Sequence, residues 1–380
     1  MSIFIFRRDF RLTDNTGLNV AKKYGKITKL FILTPEQVGK NKYKSEKAVS
    51  FMLESLEGLG ITIKRGDPAK VIAGMLGGIK AVVVNRDYTA YSKKRDAAIE
   101  KVCVAADVKF VSCEDIMLIP DDIGRVYQRF APFYNLMQTK KVRKPTAERA
   151  VSSKNRKTAL AKLKNPPVRG NLEEGTTEMS KYIKFGCVSI REVYAAWKDH
   201  PELVRQLFWR DFYYRIGDDK NILKVNINKK TFTWGYNEKL FIAWCEGKTG
   251  FPVVDAGMRQ LNATGFMHNR ARLIVANFLI WLLDIDWKKG EWYFATKLVD
   301  YDPIINNANW QWVAGTGTDY QIRVYNPWTQ GERHDPNCVY IKKWVPELEY
   351  FSVRDIHKGK VPGQIIDYKN AREKAMKKLK

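Results

Sequence analysis

Along the first third of the chain, short apolar runs alternate with stretches of helical periodicity. The runs at residues 2–6, 29–33, 61–64, 81–85 and 109–111 are rich in Ile, Val and Phe and have the length of buried strands. Residues 16–24, 45–59, 68–76 and 92–105 between them repeat apolar positions at helical spacing. Such alternation predicts a five-stranded parallel, doubly wound α/β sheet. A sheet of this kind offers a ligand site beyond the carboxyl ends of its strands. After the first run, however, stands Arg7-Arg-Asp-Phe-Arg-Leu-Thr-Asp-Asn15, not the glycine-rich turn of a dinucleotide fingerprint.

The pattern then changes. Residues 140–172 are basic, with prolines at 145, 166 and 167, which reads as a linker over the surface. From residue 176 the strand pattern fades, and helical periodicity recurs at 189–197, 202–216, 239–246, 253–264, 269–284 and 290–298. The expected organisation is an α/β domain over 1–130, an interdomain linker over 131–174 and an all-α domain over 175–380. The basic end, 371–380, reads as a solvated helical face.

Composition narrows the function. A chain of 380 residues with 45% hydrophobic residues is large enough for two packed cores. Its net charge of +25 points to a polyanionic partner, nucleic acid first. The five cysteines form no CxxC pair, which argues against zinc, iron–sulfur and disulfide frameworks and fits a reducing compartment. Charge follows the first apolar residues too soon for a signal peptide, and no apolar run is long enough to span a bilayer. The four histidines (200, 268, 334 and 357) belong to no hydrolytic or metal-binding signature.

The densest polar–aromatic segment is Asp300-Tyr-Asp-Pro-Ile-Ile-Asn306-Asn-Ala-Asn-Trp310-Gln-Trp312. Carboxylates, amides and indoles are costly to bury without partners, so this segment is expected to line a site for a large, flat, polar ligand. Gln206, Trp209, Arg210 and Tyr213 share one helix face and suit a ring with hydrogen-bonding edges. In Phe266-Met-His-Asn-Arg-Ala-Arg272, Asn269 can read a base edge and Arg270 a phosphate. Arg272 can pair with Asp300 or Asp302, while His268 reads as structural. Gly175-Thr-Thr-Glu-Met-Ser180 precedes a helix that Thr176, Thr177 and Ser180 can cap, offering hydroxyls to a phosphate.

Several of these motifs resemble the photolyase/cryptochrome family. They are Phe6-Arg-Arg-Asp-Phe-Arg-Leu-Thr-Asp-Asn15, Trp209-Arg-Asp-Phe-Tyr-Tyr214, Trp244-Cys-Glu-Gly-Lys-Thr-Gly-Phe-Pro-Val-Val-Asp-Ala-Gly-Met-Arg-Gln-Leu261, Met267-His-Asn-Arg-Ala-Arg272, Asn309-Trp-Gln-Trp312 and Asn326-Pro-Trp-Thr-Gln-Gly-Glu-Arg333. The likeness runs from residue 3 to about residue 350. It is most like the class I-type enzymes of cyclobutane pyrimidine dimer repair. It implies FAD in the helical domain, UV-damaged DNA as substrate and light as the energy source. A flipped lesion is cheaper to extrude than an intact base pair.

The resemblance implies roles residue by residue. Thr176, Thr177, Met179 and Ser180 fall on the flavin phosphate turn, where Glu178 replaces a usual basic residue. Arg272 with Asp300, and Asp302, fall beside the flavin, and Asn306 faces its reactive nitrogen. Trp310, Trp287 and Trp234, in that order outward, match a chain of tryptophans that photoreduces the flavin. Lesion contacts would be Gln206, Trp209, Asn269, Arg270, Leu273 and Trp312. Gln206 stands where dimer enzymes usually carry Glu, and Leu273 where they carry Met. A (6-4) photolyase also carries Gln there, but it uses two histidines where this chain has Asn269 and Leu273. A cryptochrome-type photoreceptor is the rival of another class. The resemblance further implies an antenna chromophore of unspecified identity, with Glu114 near a contact, and leaves Arg169 as a phosphate contact. Lys164 or Asn165 stands near a usual flavin-contacting Tyr. A monomer without an obligate protein partner or membrane is expected: cytoplasmic in a prokaryote, nuclear or organellar in a eukaryote, and not secreted.

Overall fold

The computed structural model describes residues 1–379 apart from 40, 147–152, 165, 167–169, 175 and 319–320. Its first half is built on β1 (Ser2–Phe6), β2 (Ile27–Leu33), β3 (Thr62–Arg65), β4 (Ala81–Asn85) and β5 (Lys109–Cys113). They form one sheet in the order β3-β2-β1-β4-β5, with every pair parallel. β1 and β4 are buried along their whole length, as expected of central strands covered on both faces. Two boundaries move outward because the ladder extends them. Ile27 and Thr28 pair with Ser2 and Ile3, and Cys113 pairs with Asn85.

Period-two alternation divides the sheet between two cores. Ile3, Ile5, Leu30, Ile32, Val82 and Val84 pack with Ile72, Leu76 and Ile99 on one face. Phe4, Phe6, Phe31 and Val83 face the other way, into a core that continues through Tyr182, Phe185, Phe208 and Phe212 of the helical half. Phe10 stacks on Phe185 at 6.2 Å. Buried charges fasten the same junction. Asp115 accepts from Arg191 at 2.7 Å and also pairs with Arg11. Asp14 accepts from Arg191 at 2.8 Å, and Asp211 caps the Leu118 and Ile119 amides at 2.9 and 3.0 Å.

The segment expected to be a surface linker carries two helices, Phe130–Gln138 and Lys154–Lys164. Phe130, Phe133 and Met137 are buried at helical spacing, with Phe130 and Phe133 against Phe212. Arg156 is fully buried and donates to Glu192 at 2.7 Å and to the Cys187 carbonyl at 2.8 Å. The basic composition of this stretch hid a cation that is satisfied inside the protein.

In the second half, prolines at the first turn open the helices Pro201–Asp219, Pro252–Thr264, Pro303–Ala314 and Pro327–His334, where a missing N–H costs nothing. The helix expected over 269–284 is Asn269–Asn277 followed by a π-helical turn, Phe278–Leu282. The last expected helix begins earlier, as Trp287–Lys297, because Asp286 caps it. Shorter helices and the final Tyr368–Leu379 complete the chain. Among the described residues no helix is long and apolar enough to cross a membrane.

Candidate functional site

A cavity of about 660 Å³ opens in the helical half, within the size range of cofactor sites. Its walls come from the 176–184 turn and the helices Pro201–Asp219, Asn269–Asn277 and Pro303–Ala314. Of the residues singled out by resemblance, Thr176, Thr177, Met179, Ser180, Gln206, Trp209, Asn269, Arg270, Arg272, Leu273, Asp300, Asp302, Asn306, Trp310 and Trp312 all line this one space. Trp234 and Trp287 stand behind its wall, in the same core as Trp310. Arg169, Asn165 and Gly175 lie outside the described residues.

Asp300 carries the strongest sign of a missing ligand. Its Oδ2 accepts from Arg272 at 2.8 Å, while its buried Oδ1 has no partner. Arg272 thus chooses Asp300, and its Nε is fixed by the Met267 carbonyl at 2.9 Å. An orphaned buried carboxylate oxygen costs free energy unless a ligand donor meets it. A flavin ring with N–H groups, seated in a space of this volume, meets that need.

Asp302, expected beside the flavin, lines the same space and is also bonded within the protein. One oxygen caps its own helix through the Ile304 and Ile305 amides at 3.1 and 3.2 Å. The other accepts from Arg8 at 2.5 Å and from the Tyr214 hydroxyl. Its carboxyl is held well below the usual range, against the desolvation of burial, by Arg8 and then Lys184. Arg8 reaches it from the end of β1, so the position that lacks a glycine-rich turn supplies a cation to the helical site instead. Lys184, half-buried, is pushed down to about 8 by desolvation and then by Arg8.

The hydroxyl cap expected at 176–180 does not form. Met179 occupies the cap position and its side chain makes no cap bond. The hydroxyls of Thr176 and Thr177 instead accept from the Glu178 and Met179 amides at 3.0 and 3.4 Å, because Glu178 sits at φ +49° in a turn that needs those bonds. Glu178 pairs with Lys162 at 3.2 Å, and Glu114 spends its oxygens on Tyr88 and on the Ile116 and Met117 amides.

Asn306 is oriented by a residue the pattern reading missed. Its Nδ2 donates to Glu291 Oε1 at 3.1 Å, which also accepts from Tyr301 at 3.1 Å. Burial pushes the Glu291 carboxyl up, against these two hydrogen bonds. The available signal was its place on the same helix face as Phe294, Ala295 and Leu298, where a carboxylate is out of character. In the same 300–312 segment, Gln311 is purely structural. It is fully buried and tied to Ile227 N at 2.8 Å and to the Ile222 carbonyl at 3.0 Å.

The tryptophans sort by contact. Trp310 lies edge-on to Phe294 at 5.0 Å and Trp244 at 6.4 Å. Gly290 makes room for it, since a Cβ there would come within 2.3 Å of the ring. Trp209 stacks on Phe130 at 3.6 Å. Gln206 donates to the Glu202 carbonyl of its own helix at 3.3 Å. His268 is buried and accepts the Arg270 amide at 3.0 Å as a helix cap. Beyond Arg270 a second, open hollow of about 750 Å³ gathers Arg323, Arg333 and Arg372. Its arginines are scattered over a hundred residues of sequence, so no local motif announced it.

The comparisons agree with this geometry. The family model described as DNA photolyase matches residues 2–150, and that for the FAD binding domain of DNA photolyase matches 203–380. The deoxyribodipyrimidine photo-lyase of Halobacterium salinarum is 31% identical over 474 aligned positions, covering 99% of this chain and 98% of that protein. An archaeal photolyase from Sulfolobus tokodaii, solved with two FAD molecules, superposes with a TM-score of 0.94 at 38% identity, over 100% of this chain and 99% of that one. A bacterial class III photolyase from Agrobacterium tumefaciens gives 0.85 at 27% identity, over 100% and 96%. Together with a cavity lined by the motif residues, these matches place the chain in the DNA photolyase family.

Proposed function

We propose that the protein is a light-driven deoxyribodipyrimidine photolyase, which binds FAD in the helical cavity and splits cyclobutane pyrimidine dimers in UV-damaged DNA. One observation carries this reading. The unpartnered oxygen of Asp300 and the aromatic walls Trp209 and Trp312 line the same space, so a group that can hold a flavin and rings that can stack on bases share one cavity. Reduced FAD, when bound there, supplies a photoexcitable one-electron donor.

The protein's own residues do the rest. Arg272 and Asp300 would hold the ring through the free carboxylate oxygen, and Glu291 fixes the Asn306 amide through its Nδ2. Trp209 and Trp312 offer faces and edges on which an extruded dimer can stack. Gln206 and Asn269 present hydrogen-bonding groups to its base edges. Arg270, at the junction of the two hollows, and the arginines beyond it provide charge for the phosphate backbone. Trp310, Trp287 and Trp234 form the route by which electrons enter from the surface. Residues 269 and 273, at which a (6-4) enzyme carries histidines, are Asn and Leu and offer no acid or base for moving a proton between bases.

The test is illumination of the reduced, FAD-loaded protein with UV-irradiated oligo(dT) and, in parallel, a (6-4) lesion. Loss of cyclobutane dimers with the (6-4) lesion intact is the expected result. Light-dependent flavin chemistry without loss of either lesion would overturn the repair reading in favour of a photoreceptor.

A further inference from the structure

The final helix, Tyr368–Leu379, ends over the outermost tryptophan of the proposed relay. Lys378 Nζ lies 4.8 Å from the centre of the Trp234 ring. It is held there by the Thr233 carbonyl at 2.7 Å and by the carboxylate of Asp284, which Lys374 also approaches at 3.2 Å. Asp284 occupies a left-handed turn at φ +55°, and the neighbouring Gly235 and Ile285 form a parallel bridge. Trp234, the Asp284 turn and the start of the Trp287 helix are thereby fixed together. On its other side Trp234 meets Trp281 at 5.3 Å and 72°. Trp281 is buried, with its N–H bonded to the Val313 carbonyl at 3.0 Å.

We propose that Lys378 is an electrostatic brake on the oxidation of Trp234, so that docking of the C-terminal helix controls how readily the relay exchanges electrons with solution. This rests on the reading of Trp234 as the outer member of the relay. The face of a neutral indole carries partial negative charge and attracts an ammonium. Removing one electron turns that attraction into repulsion between two like charges, only partly offset by Asp284 and strengthened by limited solvent access. The steps balance as single-electron transfers. Trp234 gives one electron inward to an oxidised inner indole and is left one electron short. A thiol in solution restores that electron and, losing its proton to water, becomes a thiyl radical. With Lys378 in place the deficit stays on the inner rings, Trp287, Trp281 and Trp310, which are buried and out of a thiol's reach.

Four variants test this: Lys378→Met, Lys378→Arg, Lys377→Met on the exposed face of the same helix, and Trp234→Phe. In FAD-loaded protein the readout is the yield of long-lived tryptophan radical, and its decay with added thiol, after a laser flash. Lys378→Met is expected to raise the yield by about threefold or more, with Lys378→Arg and Lys377→Met near wild type and Trp234→Phe abolishing it. In flavin-free protein, azide radicals made by pulse radiolysis oxidise tryptophan directly. There the Trp234-dependent rate rises in Lys378→Met, without any cofactor. Wild-type behaviour of Lys378→Met alongside a large Trp234→Phe effect overturns the brake and spares the relay. If Lys378→Arg behaves like Lys378→Met, docking rather than charge is responsible and the proposal fails. A Trp234→Phe variant with unchanged radical yield overturns the relay reading itself.

Discussion

The crevice at the carboxyl ends of β1 and β4 and the cavity of the helical half are both lined by arginines and carboxylates. The first encloses about 20 Å³ and the second about 660 Å³. In an open α/β sheet the crevice is where a ligand is expected. Here the chain fills it with its own polar groups. Arg7 pairs with Asp96 at 2.6 Å, Asn85 donates to Asp9 and to Asn15 at 2.9 Å, and Arg11 is held by Asp115. In the helical cavity the accounting is left open at Asp300, whose Oδ1 has no protein partner. Similar residue types therefore mark a joint in one place and a site in the other, and what separates them is room. The crevice closes around its ion pairs and shuts in the unpartnered Nε of Arg7, whereas the unpartnered oxygen of Asp300 opens onto a space that a ligand donor can enter.

The largest effect that can break this comparison is at Asp302, where the two regions meet. Asp302→Asn should leave Arg8 with Asp87, at 3.6 Å, as its remaining counter-charge and lower unfolding free energy by about 2–3 kcal/mol, read by urea denaturation. A change of less than about 1 kcal/mol would mean the pair is not a joint. Asp300→Ala should do the reverse. Bound flavin, read by its visible absorbance after desalting, should weaken by about tenfold or more, while the flavin-free protein loses little stability. Asp9→Asn, in the sheet crevice, should lower stability and leave the flavin affinity unchanged.

Smaller effects sharpen the picture of the cavity mouth. Arg333→Ala and Arg372→Ala should each weaken binding of damaged and undamaged DNA alike and reduce the salt slope by about 1. Gln206→Glu, restoring the carboxylate usual in dimer enzymes, should raise the quantum yield of repair, and no gain would remove Gln206 from the reaction. The smallest effect concerns Lys184, pushed down to about 8 from 10.5 by burial and then by Arg8. Between those values the unfolded chain holds the proton more tightly than the folded one, so this group's contribution to stability rises with pH across that window. Below it, the full cost of burying the charge is present. Lys184→Met should lack the rise in a Tm series between pH 8 and 10.5.

The sheet was legible because its central strands are continuous apolar runs of strand length, and β1 and β4 fall where the pattern puts them. The helices at 130–138 and 154–164 were not. Prolines and charge marked their surroundings as linker, and only packing shows that Phe133 and Arg156 are buried. At the site, the chemistry of Asp300, Asn306 and Trp310 could be read from one dense segment. Its division of labour could not, since Gln311 carries the same signal and uses it to hold the chain together, while Asp302 lines the cavity and also anchors Arg8.

By itself the sequence determined the two kinds of half and which polar and aromatic residues would be costly to bury without a partner, because hydrophobic period and residue chemistry are local properties of the chain. The tertiary structure alone decided which charges close on one another and which remain open. Arg8 finds Asp302 across 294 residues, Glu291 turns Asn306, and Lys378 covers Trp234. The cost of burying a polar group depends on the partner that folding brings to it, and that partner is set by distance in space rather than by spacing along the chain.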